Sequence, residues 1–336
     1  MAEREPAIVT RGLARRYGER WALAGLDLSV PRGLIYGLVG PNGAGKTTTL
    51  RLLAGLLEPS AGEAWILGQP ATGPRHLDRL RQAIGYMPDF SGVYEDMRAW
   101  EYLDFYARCH GLPRSLRRRR VAGLLDLIGL SDRAQDEVGS LSRGMQQRLC
   151  LAHALVHDPA ILLLDEPAAG LDPRARRELR ALLRELRAMG KTIVVSSHVL
   201  SELAEVCDQV GIMERGRLVA GGALDALERD LDPERSAGQR VLLELLPPAE
   251  AAQALLAGLP GVSLEPDGPA APDGAAHDPE AAEPLRIAIR VEGGAEAHAA
   301  VIDALVAAGI RVAAYQRQER DLERVFLGLT RAEVEG

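Results

Sequence analysis

An α/β fold built on a parallel sheet, followed by a small α+β unit, is what this 336-residue sequence predicts. Three observations carry that expectation. A glycine-rich stretch, Gly40-Pro-Asn-Gly-Ala-Gly-Lys-Thr-Thr48, follows the apolar strand pattern of residues 33–39. A second apolar run, Ile161-Leu-Leu-Leu164, ends in two acids, Asp165 and Glu166. Beyond residue 239, two β-α-β passes follow one another.

Taken in order, residues 7–39 and 61–68 have the pattern of short strands with turns at Gly18, Gly25 and Gly62, suited to an antiparallel layer. The stretch at 40–48 has the spacing G-x-x-x-x-G-K-[ST] between a strand and a helix, where backbone amides turn inward around anionic oxygens. Gly40, Asn42, Gly43, Ala44, Gly45, Lys46, Thr47 and Thr48 make up this cradle. Lys46 supplies a point charge to the distal phosphates, and the Thr47 hydroxyl is a ligand for Mg²⁺. The helix from Thr47 to about Gly55 aims its positive end at the same phosphates. The chain is therefore expected to bind a nucleoside triphosphate.

Residues 95–157 are helical in character. Asp96 to His110 places Trp100, Leu103, Phe105 and Tyr106 near helical spacing, a stripe expected in the core, and Val121 to Leu130 repeats apolar positions in a second helix. The basic run Arg114 to Arg120 invites a nucleic-acid or lipid-headgroup reading, but it is short and has no interleaved aromatics, so a solvated helix face is expected. Gln146 to His157 continues as helix. The run 161–164 lies between Pro159 and Pro167 and lacks polar alternation, as in a buried parallel strand. Asp165 at its end suits a Mg²⁺ shell, and Glu166 is placed to orient or deprotonate an attacking water. Strand and helix then alternate over 160–220, as in a parallel sheet with right-handed crossovers.

After about residue 229 the pattern changes. Residues 229–239 are a polar, breaker-rich linker. Strands at 240–246, 261–264, 285–291 and 310–315, with helices at 249–257 and 295–308, predict a ferredoxin-like sandwich. Residues 265–283, rich in Pro, Gly, Ala and Asp, are expected to be disordered. In the tail, Leu322, Val325, Phe326 and Leu329 have the spacing of an amphipathic helix.

A formal net charge of −7 argues against a broad nucleic-acid footprint. No apolar run approaches the ~18 residues of a membrane helix, and Met-Ala-Glu-Arg-Glu-Pro is no signal peptide, so the cytosol is the expected compartment. Cys109, Cys150 and Cys207 lack metal spacing and are expected to pack as reduced, small apolar side chains.

The cradle, Leu141-Ser142-Arg143-Gly144, the Asp165-Glu166 strand and Ser196-Ser197-His198 stand in an order that resembles the ATP-binding cassette family over about residues 5–228. The resemblance implies a nucleotide-binding domain, residues 1–228, with a RecA-like core, an antiparallel β layer and a helical subdomain at about 92–157, and an accessory domain at 240–336. It implies ATP and Mg²⁺ as ligands, with Glu166, His198 and Lys46 catalytic and Thr47, Asp165 and Asp89 at the metal. Tyr17 takes the place of the ring that packs on adenine. Asp89 stands where the family usually has glutamine, and Met145 where its signature usually ends in glutamine.

The resemblance also implies a head-to-tail dimer in which Ser142 and Gly144 serve the opposite subunit's ATP, while Asp172, in Ala169-Gly170-Leu171-Asp172, belongs to a loop that crosses the interface. The tail Leu-Glu-Arg-Val-Phe-Leu, 322–327, is similar to a segment of drug and polyketide exporter cassettes. The expected function is thus the ATP-hydrolysing subunit of an exporter. Its membrane permease subunits would be separate chains, its second cassette another copy of itself, and its place the inner face of the cell membrane. The helical subdomain and the Asp89 loop would receive a short helix from the permease, and no nucleic acid is expected. The alternative is a soluble cassette protein acting on nucleic acid or the ribosome; the short interval from Lys46 to Leu141, without sustained heptads, leaves no room for a long coiled coil. A regulatory binder without turnover is a third reading, kept open by Asp89.

Overall fold

The computed structural model describes residues 5–71, 73, 76–89, 92–224, 238–248, 251–265 and 285–317. These divide into two compact units, one up to residue 227 and one from residue 228 onward.

The first unit opens with a long hairpin of β1 (Pro6–Tyr17) and β2 (Arg20–Pro31), then β3 (Ile35–Val39) and α1 (Lys46–Leu53). β4 (Ala61–Ile66), β5 (Gln69–Pro70), α2 (Leu77–Ala83) and β6 (Ile84–Met87) follow. Strands β2-β1-β4-β5 form an antiparallel sheet. The expected turns at Gly25 and Gly62 instead lie inside strands, β2 and β4, beside irregularities in their pairing with β1. Leu13 pairs with Leu26 but Ala14 with Ala24, so Gly25, at φ 91°, is the extra residue of a bulge.

The helical part comprises α3 (Ala99–Cys109), α4 (Arg114–Leu127) and α5 (Arg143–Leu155). In α3 the buried side is Tyr102, Leu103 and Ala107, whereas Phe105, expected in the core, is turned outward and packs edge-on against Tyr94. The basic run is not wholly solvated either. Arg117 turns inward, its Nε donating to Asp104 Oδ1 at 2.8 Å while Arg108 takes the other oxygen at 2.7 Å. Burial alone would raise the Asp104 pKa, but the two guanidiniums outweigh it and hold the carboxyl below its ordinary value. Cys109 is exposed, against expectation, while Cys150 is buried.

Next come β7 (Ile161–Leu164), α6 (Pro173–Ala188), β8 (Thr192–Ser197), α7 (Leu200–Ala204), β9 (Gln209–Glu214) and β10 (Arg217–Ala223). The six-stranded sheet runs β10-β9-β3-β8-β7-β6. β3, β7 and β8 are buried along their whole length, which is why β7 is a continuous apolar run and β8 carries Ile193, Val194 and Val195 in succession instead of alternating with polar residues. β10 departs from the parallel pattern: Arg215 and Gly216, at φ 45° and 78°, turn the chain back antiparallel on β9. Asp172 caps α6, accepting from the Arg174 and Ala175 amides, and Leu179, Leu182, Leu183 and Leu186 form its buried stripe.

The second unit comprises β11 (Gln239–Leu246), α8 (Ala252–Ala257), β12 (Val262–Leu264), β13 (Leu285–Val291), α9 (Ala295–Ala307) and β14 (Arg311–Arg317). Its antiparallel order, β12-β13-β11-β14, places a foreign strand between the two strands of each β-α-β pass, the split arrangement of a ferredoxin-like sheet. Val241, Leu243 and Leu245 alternate inward against Leu256, Val301 and Leu305 of the helices. Gln239 is already in β11, and Glu265 is tied to the sheet through its amide and through Arg240 and Arg290, so neither belongs to a linker or a disordered loop. Residues 229–237, 266–283 and the 322–329 helix lie outside the described residues.

Candidate functional site

The phosphate cradle is a turn that favours glycine at Gly40, Gly43 and Gly45, Gly43 having φ 84°. A Cβ on Gly40 would overlap the Met213 carbonyl oxygen; Gly45 has φ 107° and a Cβ there would lie 2.7 Å from the Ala22 carbonyl oxygen. Lys46, the first residue of α1, is 6% exposed. Its Nζ donates to the Gly40 carbonyl at 2.6 Å, and Glu166 Oε1 stands 3.3 Å away.

The acidic side comes from the ends of two neighbouring parallel strands, β7 and β8. Asp165 is fully buried. Its Oδ1 accepts from Ser196 Oγ at 2.7 Å and from Thr47 Oγ1 at 3.1 Å, while its Oδ2 is buried without a hydrogen-bond partner. Burial raises the Asp165 pKa, the charges of Asp89 and Glu166 add to the rise, and the Ser196 and Thr47 hydroxyls oppose it. Glu166 stands in the left-handed region at φ 47°, an uncommon conformation for a non-glycine residue. It is held there partly by its amide, which donates to Ser196 Oγ at 2.9 Å. Its carboxylate reaches Lys46 through Oε1 and His198 Nδ1 through Oε2, the latter at 2.9 Å.

A cavity of about 530 Å³ opens over this floor. Tyr17, Asn42, Gly43, Ala44, Gly45, Lys46, Thr47, Thr48, Asp89, Glu166 and His198 all line it, so the structure brings together most of the residues singled out from the sequence. Asp165 and Gly40 lie beneath, in contact with Thr47 and Lys46. Tyr17 is 46% exposed at the end of β1, with the Arg15 guanidinium 5.0 Å over its ring. The volume and the polar, cationic wall suit a nucleotide with its phosphates.

Ser142, Gly144 and Asp172 are not brought to this cavity. They line another, of about 420 Å³, between the start of α5 and the start of α6, and the two cavities have no lining residue in common. Ser142 caps α5, accepting from the Met145 amide, and Gly144 is small because a Cβ there would come 2.9 Å from the Ala175 Cβ.

Sequence reasoning missed Ser196, Arg20 and Ala22. Ser196 had one signal, a hydroxyl at the end of an apolar strand two residues before the histidine. Arg20 and Ala22 reach the cavity from β2 and had none.

The residues fit Mg²⁺. Its hard oxygen ligands are offered by Thr47 Oγ1 and by Asp165, whose Oδ2 is orphaned, with Asp89 close enough to perturb Asp165. No group of three His, Cys, Asp or Glu that could hold a metal occurs among the described residues.

A family model described as ABC transporter matches residues 23–169. Nod factor export ATP-binding protein I of Ralstonia nicotianae is 42% identical over 217 residues, 65% of this chain and 67% of that protein. An uncharacterized ABC transporter ATP-binding protein of Nostoc sp. is 44% identical over 208 residues; the match spans 61% of this chain and 61% of the relative's length. Among solved structures, cbiO1 of Clostridium perfringens, part of the ABC transporter complex cbiONQ, is similar with a TM-score of 0.62 and 28% identity, over 69% of this chain and 95% of its own. An ATP-binding subunit of an ABC transporter gives a TM-score of 0.59 at 31% identity, over 67% and 92%.

Proposed function

The chain belongs to the ABC transporter family as an ATP-binding subunit, and from that premise we propose that it hydrolyses ATP to drive an exporter whose membrane subunits are separate chains. The observation that carries the hydrolytic step is the Glu166 carboxylate, held at the cavity wall between Lys46 and His198 and above the Asp165–Ser196–Thr47 floor. Glu166 takes up a proton from the attacking water as its oxygen adds to the γ-phosphorus, and ADP departs. Lys46 and His198 meet the charge that spreads over the γ-phosphoryl oxygens. Thr47 and Asp165, with Asp89 through water, would hold Mg²⁺, which supplies neutralisation of the phosphate charge when bound. Tyr17 would offer its ring face to adenine.

Ser142, Gly144 and Asp172 line a different cavity, which supports a head-to-tail pair in which each chain's α5 start completes its neighbour's site. A second copy of this chain is the partner proposed, since both halves are intact in it. Among the described residues no helix is long and apolar enough to cross a membrane, so membrane attachment is assigned to permease subunits. The exporter direction rests on the relatives named for Nod factor export.

Purification of the full chain from its native membranes after gentle solubilisation, beside Glu166→Gln, tests this reading. A co-purifying polytopic membrane protein, with Mg²⁺-dependent ATPase activity lost in the variant, is the expected result. Recovery with ribosomes or nucleic acid alone overturns the transport reading.

A further inference from the structure

The solvent face of α4 carries charge that no side chain among the described residues pairs with. Its exposed positions run Arg114, Ser115, Arg118, Arg119, Ala122, Gly123 and Asp126. Arg117 and Arg120 of the same run are committed to Asp104 and Asp158. Arg114, Arg118 and Arg119 have no ion-pair or side-chain hydrogen-bond partner among the described residues.

Their placement works against the helix. They lie in its first two turns, where the backbone dipole is positive, with no acidic residue in the first turn and no side-chain cap. Arg114 and Arg118 stand one turn apart and repel each other. One turn further on, the face flattens to Ala122 and Gly123. Glycine in an exposed helix interior weakens the helix, and a Cβ on Gly123 would meet nothing within 4 Å, so internal packing does not require it. Cations that raise the energy of their own helix, beside a stripe with nothing standing out from it, fit a flat anionic surface.

We propose that this arginine ridge rests on the anionic phospholipid headgroups of the bilayer that holds the permease. The choice of surface rests on the transport reading. The permease's own cytoplasmic loops are the weaker candidate, because such loops carry an excess of Lys and Arg and repel the ridge. The cytoplasmic leaflet is negative and attracts each nearby cation. The guanidiniums of Arg114, Arg118 and Arg119 together are expected to tighten vesicle binding roughly a hundredfold.

The test is co-sedimentation of the purified full chain with vesicles of phosphatidylcholine alone and of phosphatidylcholine with phosphatidylglycerol. It is run for the parent, for a triple variant Arg114→Gln, Arg118→Gln, Arg119→Gln, and for a triple Arg→Lys variant at the same positions. The expected result is binding to anionic vesicles only, weakened by salt, lost roughly a hundredfold in the Gln variant and largely kept in the Lys variant, with ATPase activity in vesicle-free buffer unchanged in all three. Equal vesicle binding by the parent and Gln variants, or equal binding to neutral lipid, overturns the proposal. So does Arg-dependent binding of RNA by a chain that ignores anionic vesicles. Permease co-purification is read separately, so a missing permease counts against the transport reading and not against the ridge.

Discussion

Replacing Asp165 by Asn separates what the fold wants from what the chemistry needs. Asp165 is fully buried, one of its oxygens has no partner, and burial with the charges of Asp89 and Glu166 raises its pKa. Above the pKa of the unfolded carboxyl, the folded state still holds a proton that the unfolded state has released. Stability therefore falls as pH rises from the unfolded pKa through the folded one, and the loss is complete above the folded pKa. Asn keeps an acceptor for Ser196 Oγ and Thr47 Oγ1, at present 2.7 and 3.1 Å away, and removes the charge. An unsatisfied buried group costs about 1–3 kcal/mol, more when charged, and Asn leaves a neutral one, so the net gain is about 1–2 kcal/mol. For a unit the size of the cassette that is a rise in Tm of roughly 2–8 °C. Differential scanning calorimetry of the nucleotide-free chain at neutral pH and near pH 4 measures both quantities. The Asn variant should melt higher at neutral pH, show a smaller pH slope, and gain nothing from Mg²⁺ with ATP, while hydrolysing no ATP. A variant that melts at or below the parent at neutral pH refutes the reasoning.

Glu166→Gln should keep ATP affinity and pairing of cassettes but lower turnover by roughly a hundredfold or more; single-turnover hydrolysis at the parent rate removes Glu166 from the role of base. Gly45→Ala should destabilise the cassette by about 1–3 kcal/mol and weaken ATP binding, since φ 107° and the Ala22 carbonyl both oppose a Cβ; urea denaturation and nucleotide titration check it. Burial, with the neighbouring His110 and His157, pushes the His153 pKa down to about 4. The unfolded chain then binds protons that the folded one refuses, so stability falls as pH drops below ~6.5 and has lost on the order of 3 kcal/mol by ~4. His153→Phe should flatten that acid limb, and superimposable urea midpoints against pH for parent and variant would count against the assignment.

The cassette was largely legible because its chemistry sits on backbone features with local signatures. Lys46 and Thr47 follow glycines whose added Cβ would strike a neighbouring carbonyl oxygen, and Asp165 and Glu166 end a strand whose buried faces leave a continuous apolar run. The ferredoxin-like unit was legible for a related reason, β11 and β13 alternating against two helical periods. What escaped was long-range. Ser196 matters only because β8 lies beside β7 and brings its hydroxyl to Asp165, a pairing no local pattern announces. The phase of α3 was misjudged because aromatic content was weighed above spacing: Tyr102 is the buried ring and Phe105 the outward one. Arg117 looked like one of a row of solvated cations until Asp104, thirteen residues earlier, claimed it.

The separation of the Lys46 cavity from the Ser142–Asp172 cavity, which share no lining residue, has a genetic corollary if the chains work head to tail. A lesion at Lys46 silences a chain's own nucleotide, whereas a lesion at Ser142 silences its neighbour's. Two alleles, each dead when alone, then complement each other: in a mixed pair one centre collects both lesions and the other is whole. Cells carrying both alleles should recover about half the centres of each mixed pair, a rescue that two lesions in the same cavity would never show.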